Sequence, residues 1–281
     1  MHDLRQLQSK MTCYSVNAFL GDTKESIDLS IQPFPCIPGQ KLSSSSFDAL
    51  KLHGSVQLGP GISTKRGRVD SNNSDEVLYA IASGILKYKA PNRYWIESNV
   101  KYYTPVEGDQ IVGIIEEKCS ECYKINISSC SSSALLSKLA FEGATKRNKP
   151  ELKRGDIVYA RILQSNKDFD TFATCIPSSG TKKEWSTGET IYGELRGGAL
   201  VKLSINKARQ MLLPSNAILK LLGKHFSFEV AIGMNGFVWI NSSDLKTTIL
   251  IRNILLNAEL LNDDIQVEVM MEQVIRIHKK R

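Results

Sequence analysis

The chain has 281 residues, 42% apolar and 23% charged, with a formal net charge of +7 and six cysteines. Those are the proportions of an ordinary soluble globular protein. No apolar run approaches the about 20 residues of a membrane span, and the N-terminus lacks the apolar core and small-residue cleavage site of a secretory signal. The expectation is an intracellular protein of two or three small domains, its scattered cysteines reduced. Its mild basicity permits a nucleic-acid partner without requiring one.

Residues 1–36 show no sustained period of 2 or 3.6 and read as an extension, partly disordered. "CIPGQKL" and "SSSSF" (36–47) are turn and linker chemistry. "VQLGPGI" (56–62) is a short strand entering a Gly-Pro-Gly turn. The β-branched and aromatic runs of 76–98, broken by Gly84 and by Ala90-Pro91-Asn92, predict further strands. Residues 37–105 are read as an N-terminal β-domain.

A second unit is read over 106–180. "QIVGIIEEK", "CYKINIS" and "SALLSK" are three short strands at hairpin spacing. The irregular stretch "LAFEGATKRNKPELKRGD" (139–156) follows, then "IVYARILQSNK" and "TFATCIP". Five strands with the longest connection after the third predict an OB-fold barrel, of the ribosomal-protein-S1 type. Asp156 reads as a turn residue.

Residues 181–281 form a third unit, in which 181–194 carries no usable motif. "ALVKLS" is a strand. Helices over 205–213 and 215–225 follow, with Ser204 or Asn206 capping the first and Ser215 the second. "FSFEVAIG" and "FVWIN" are strands. Ser243-Asp244 caps a helix over 245–260, and an amphipathic helix over roughly 264–278 closes the chain. The order β-α-α-β-β-α plus a C-terminal helix predicts a KH-like domain. The fold class is therefore mainly β plus α/β.

A KH domain clamps a nucleic-acid backbone with a Gly-x-x-Gly loop between its first two helices. That position holds "LLPS" (212–215), with no glycine and a proline lacking an N–H. The chain's own Gly233-Met234-Asn235-Gly236 lies between two strands. There Asn and Gly make a hairpin turn, because both tolerate positive φ. The turn reading is preferred to the phosphate clamp.

"LGPGI" (58–62), "LAFEGATKRNKPELKRGDIVYAR" (139–161) and "GMNGFVWI" (233–240) together resemble the non-catalytic cap subunits of the eukaryotic RNA exosome. Among these, the likeness is to the family of ribosomal RNA-processing protein forty, or exosome component three, over about residues 37–262. The resemblance implies a non-catalytic, cofactor-free cap subunit with single-stranded RNA, ring subunits and other cap subunits as partners. Such a subunit guides RNA to a 3′→5′ exoribonuclease in the nucleus, including the nucleolus, and the cytoplasm. It also implies that Gly233, Asn235, Gly236 and Trp239 pack the KH-like domain against the barrel.

Lys146, Arg147 and Lys149 are the foremost RNA candidates. They fall within four residues on the barrel's longest connection, where cations neutralise phosphates and an Arg can stack on a base. The same loop could instead be solvated, or dock onto a ring subunit. Tyr123, Tyr159 and Phe141 are candidate base platforms, although an aromatic on a barrel strand is more often core. Tyr123 and Lys124 point to opposite faces, so at most one lines a given groove. Cys119-x-x-Cys122 is only half a metal site. No nucleophile motif and no clustered carboxylate set suggests catalysis. A stand-alone single-strand RNA-binding regulator and a nuclease are the rival readings.

Charge places a bound on affinity. Residues 106–181 are net neutral, with ten basic and ten acidic side chains, while 56–105 carry +3 and 182–281 carry +4. RNA affinity must then come from local clustering. The isolated protein should bind RNA at micromolar affinity or weaker and lose that binding as salt rises. Fluorescence anisotropy checks this; nanomolar, sequence-specific binding at physiological salt would refute it.

Overall fold

The computed structural model describes residues 34–42, 57–66, 76–89, 93–128, 133–166, 169–178, 185, 190–213, 216–261 and 264–279. These form two compact units, one up to Asn99 and one from Val100 onward.

The first unit holds β1 (Phe34–Cys36), β2 (Lys41–Leu42), β3 (Gln57–Leu58), β4 (Ile62–Arg66), β5 (Glu76–Ala80), β6 (Gly84–Lys89) and β7 (Arg93–Glu97). Two sheets result, in the orders β1-β6-β7-β3 and β2-β5-β4. Their core is Cys36, Leu42, Ile62, Ala80, Leu86, Tyr94 and Ile96. The Gly-Pro-Gly turn runs so close over β7 that a Cβ on Gly59 would lie 2.8 Å from that of Trp95, and Gly61 has φ +88°. Residues 34–36 depart from the reading of 1–36 as an extension. They pair antiparallel with β6 and bury Cys36. Three residues carry no detectable period, and Pro35 is acceptable here because β1 is an edge strand. Residues 1–33 lie outside the described residues.

The second unit begins with β8 (Gln110–Lys118), β9 (Cys122–Asn126), β10 (Ala134–Phe141), β11 (Ile157–Gln164) and β12 (Phe172–Cys175). They close as β8-β9-β10-β12-β11-β8, with only β10 and β12 parallel. This is a five-stranded barrel. Strict alternation on β9 and β11 sends Tyr123, Ile125, Val158, Ala160 and Ile162 inward. Two differences from the sequence reading stand out. Leu139–Phe141 belong to β10 rather than to the irregular stretch, because Phe141 is needed in the core. The segment after 180 serves the barrel as well: Tyr192 joins the core, and β13 (Gly193–Leu195) pairs with β11. Pairing with a distant strand leaves no local motif.

The remaining elements are β14 (Ala199–Lys202), α1 (Ile205–Met211), α2 (Ala217–His225), β15 (Phe228–Ile232), β16 (Phe237–Ser242), α3 (Leu245–Glu259) and α4 (Asp264–Lys279). The sheet order is β14-β16-β15, antiparallel throughout. Ser204 caps α1 and Asp244 caps α3. Asn216 caps α2 in place of the expected Ser215, which lies outside the described residues. The helices bury Ala208, Met211, Leu222, Ile251, Ile254 and Leu255 against the sheet.

Barrel and KH-like sheet are joined at β8. On β8 before the register shift at 115–117, even-numbered residues aim their backbone groups to the β9 side; β9 pairs as far as Ile114↔Asn126 and then turns away at Ser128, φ +59°. The next two ladder positions on β8 are taken by the β15–β16 hairpin. Met234 N donates to Gln110 O at 2.8 Å. Asn235 Nδ2 donates to Val112 O at 2.8 Å and to Ile127 O at 3.1 Å, while its Oδ1 accepts from Val112 N at 3.4 Å. Asn235 is 1% exposed. Gly233 is obligatory because a Cβ there would lie 2.6 Å from Val112 N. Gly236 has φ +87°, and its Cβ would meet Leu203 O at 2.6 Å. Trp239 donates to Gly197 O at 2.8 Å and packs in one cluster with Val112, Ala231 and Phe237, flanked by Ile157, Tyr159 and Leu195.

Replacing Asn235 by Ala strips buried partners from Val112 and Ile127. Each orphaned buried group costs about 1–3 kcal/mol. The Asn235→Ala variant should lose about 2–4 kcal/mol in urea unfolding, on the same scale. A change below about 0.5 kcal/mol, the range of ordinary surface substitutions, would contradict this account of the joint.

Candidate nucleic-acid interface

The loop between β10 and β11 is a built turn. Ala144 N donates to Phe141 O, Thr145 N to Asn148 O, and Asn148 N to Thr145 Oγ1. Its far end is pinned from inside the barrel. Tyr123 Oη donates to Pro150 O at 2.8 Å and accepts from Leu152 N at 3.2 Å, and Leu152 is buried. Asp156 then closes the following turn by accepting from Lys153 N at 2.6 Å. Lys146, Arg147 and Lys149 project from this turn and are exposed. Among the described residues none of the three takes part in an ion pair.

The aromatic candidates fall elsewhere. Tyr123 is 0% exposed, so its ring is core and not a base platform; it holds the basic loop from beneath. Phe141 is likewise core. Tyr159 donates to Gln110 Oε1, stacks on Tyr192 with centroids 5.3 Å apart, and faces the KH-like sheet. Lys124 does point outward, but its ammonium lies 2.8 Å from Glu117 Oε2. That hydrogen-bonded pairing raises the Lys124 pKa and lowers that of Glu117. Lys138 is also spent, donating to Cys119 O and Ser120 O at the β8–β9 turn. Cys119 and Cys122 are free thiols. Burial, with Cys119 alongside, pushes the Cys122 thiol up. Among the described residues no three His, Cys, Asp or Glu side chains are placed to hold a metal.

Three of the four amides of the Gly-Met-Asn-Gly hairpin are already spent within the protein. The amides of Gly233, Met234 and Gly236 donate to Phe237 O, Gln110 O and Gly233 O. Asn235 itself is not among the residues with positive φ, so its presence answers to its carboxamide rather than to turn geometry. Between α1 and α2, Leu212 packs on the helical core and Leu213 is partly exposed. Pro214 and Ser215 lie outside the described residues.

The barrel also presents surface residues that the sequence did not single out. Strand register places Glu117, Lys124, Leu135, Phe172 and Gln164 in one row across β8, β9, β10, β12 and β11. Phe172 is 42% exposed and Phe169, in the preceding loop, 70%. Arg161 pairs with Thr174, two positions from Phe172 on the same face of β12. The available signal was phase: in "TFATC" Phe172 alternates with the inward Ala173 and Cys175.

Residues 103–188 match the family model for the S1 domain of exosome complex component RRP40, and 198–246 match that for a KH domain. The chain is 34% identical to exosome complex component rrp40 of Schizosaccharomyces pombe over 82% of this chain and 90% of that protein. Against exosome complex component RRP40 of Bos taurus the identity is 33%, covering 77% and 75%. For the Saccharomyces cerevisiae protein of that name it is 33%, covering 69% and 78%. A crystal structure of a candidate exosome complex RNA-binding protein superposes with TM-score 0.51 at 18% identity, covering 63% of this chain and 99% of that one, a likeness of fold.

If Tyr123 anchors the loop as described, Tyr123→Phe should destabilise the fold by about 1–2 kcal/mol, the worth of its buried hydrogen bonds. Hydrogen exchange at the Leu152 amide should quicken. Unchanged exchange at Leu152 would mean that the loop is held by something else.

Proposed function

Because this chain belongs to the RRP40 family of exosome complex components, we propose that it is a non-catalytic cap subunit that binds RNA and guides it toward the complex's 3′→5′ exoribonuclease. The carrying observation is the loop of Lys146, Arg147 and Lys149: three exposed cations, without an ion pair among the described residues, on a turn that the barrel core holds in place. Unpaired cations at fixed positions attract phosphates without reading bases. The barrel around them is net neutral. Attraction is therefore local and weak, which suits a strand that must move through rather than stay. Its ligand is single-stranded RNA, and its protein partners are the ring and the other cap subunits. It works in the nucleus, including the nucleolus, and in the cytoplasm, in RNA processing and decay.

Three experiments test this reading. Sizing of the native complex carrying the tagged chain should give a multi-subunit particle; a monomer would favour a stand-alone RNA-binding regulator. The pure protein should not degrade RNA, and metal-dependent degradation abolished by changing a single carboxylate would make it a nuclease. In the assembled exosome, Lys146→Ala, Arg147→Ala and Lys149→Ala together should weaken RNA binding. They should also flatten the plot of log affinity against log salt by about two, from roughly 0.7 per phosphate contact on a single strand.

A further inference from the structure

The basic loop accounts for phosphate attraction but carries no aromatic ring on which a base could stack. Its neighbouring aromatics, Tyr123 and Phe141, are buried. A second part of the barrel has what the loop lacks. Arg161 sits on the outward face of β11, and its Nε is buried with no hydrogen-bond partner. Among the described residues it forms no ion pair. That nitrogen is closed to a ligand, so contact with a phosphate falls to the terminal nitrogens of the guanidinium, which are not buried in this way. Arg161 is opposite Thr174, whose hydroxyl already accepts from Ile176 N. Two residues along β12, about 6.6 Å away at strand spacing, Phe172 turns its ring outward beside Leu135. Phe169 is exposed in the loop leading into β12.

The other strands of this face do not compete. Lys124 is neutralised by Glu117, and Glu116 accepts from Asn126 Nδ2 and Ser133 Oγ. No aromatic lies on the outward side of β9 or β10, where Cys122, Lys124, Leu135, Ser137 and Leu139 are found. Among the described residues of this face, the unpaired cation and the exposed rings thus fall on β11, on β12 and at Phe169.

We infer that Arg161 and Phe172 form a nucleotide subsite, in which the Phe172 ring stacks an unpaired base and the Arg161 guanidinium holds the adjacent phosphate. This rests on the RNA-binding reading above and adds to it a place where bases are engaged. The ligand class is single-stranded nucleic acid of any sequence, because every base has a face to stack. A duplex is excluded, since its bases are already stacked on one another.

The test uses the assembled exosome carrying the full chain, with three fluorescent probes: a single-stranded oligouridine, the same strand with abasic residues, and a duplex. Phe172→Ala should weaken oligouridine binding about tenfold, within the range for loss of one stacked base, and leave the abasic strand unchanged. Phe172→Tyr, which keeps a ring, should restore the wild-type value. Arg161→Gln should weaken both single strands and reduce the salt slope by about 0.7. None of these changes should alter duplex binding.

Failure of the subsite is distinguishable from failure of the RNA-binding reading. If Phe172→Ala and Arg161→Gln bind oligouridine like wild type while the triple loop variant does not, RNA uses the loop alone and the subsite is overturned. If the two variants instead fail to assemble with the other subunits, the face is a protein interface, which also overturns it. If the triple loop variant and both subsite variants all bind like wild type, the RNA-binding reading of the barrel falls together with the subsite.

Discussion

The second unit depends on one side-chain amide filling a gap in a ladder. Where β9 leaves β8, two backbone positions would face the protein interior without partners, and buried peptide groups cannot be left so. Asn235 meets the need because a carboxamide has both donors and an acceptor, like the peptide unit it replaces. It serves Val112 on both sides and reaches Ile127 as well. Aspartate would bring only acceptors, and leucine would bring nothing. Met234 continues the same ladder with its backbone N–H. The KH-like hairpin is in this sense the missing stretch of a barrel strand.

That joint also decides where RNA can go. A glycine-rich hairpin could cradle phosphates if its amides pointed outward. Here they point to Phe237, Gln110 and Gly233, and a Cβ on either glycine would collide with backbone. The cost of bringing two modules this close is that the amides of Gly233, Met234 and Gly236 are turned inward and spent. On the function proposed above, recognition passes to the barrel, and there to those side chains that the fold has not already consumed.

Consumption is selective. Lys138 braces the β8–β9 turn, Lys124 answers Glu117, and Tyr123 ties the loop to the core. Among the described residues, those left over include the exposed turn of Lys146, Arg147 and Lys149 and the Arg161–Phe172 corner of β11 and β12. In the proposed reading the first attracts by charge and acts at a distance set by ionic strength. The second acts by contact, needs an unpaired base, and is insensitive to sequence. A weak electrostatic guide with a contact step is consistent with a subunit that passes a strand onward.

Much of this was legible in one sequence. Five apolar runs with a long third connection specify a barrel, because hairpin spacing and alternation are local properties. The β-α-α-β-β-α order, the caps at Ser204 and Asp244, and the absence of glycine at 212–215 are local too. The basic loop could be read from three cations within four residues. Tertiary structure alone decided the rest, for a shared physical reason: the partner lies far away along the chain. Tyr123 becomes an anchor only because Pro150 and Leu152 fold over it. Lys124 loses its free charge only because Glu117 stands opposite. Tyr192 and β13 complete a barrel that ended, by pattern, near residue 180. Phe172 and Arg161 are surface neighbours only because β12 lies between β10 and β11. Sequence determines which faces are apolar and where the chain must turn; which polar groups are left over is settled only when every strand has found its neighbour.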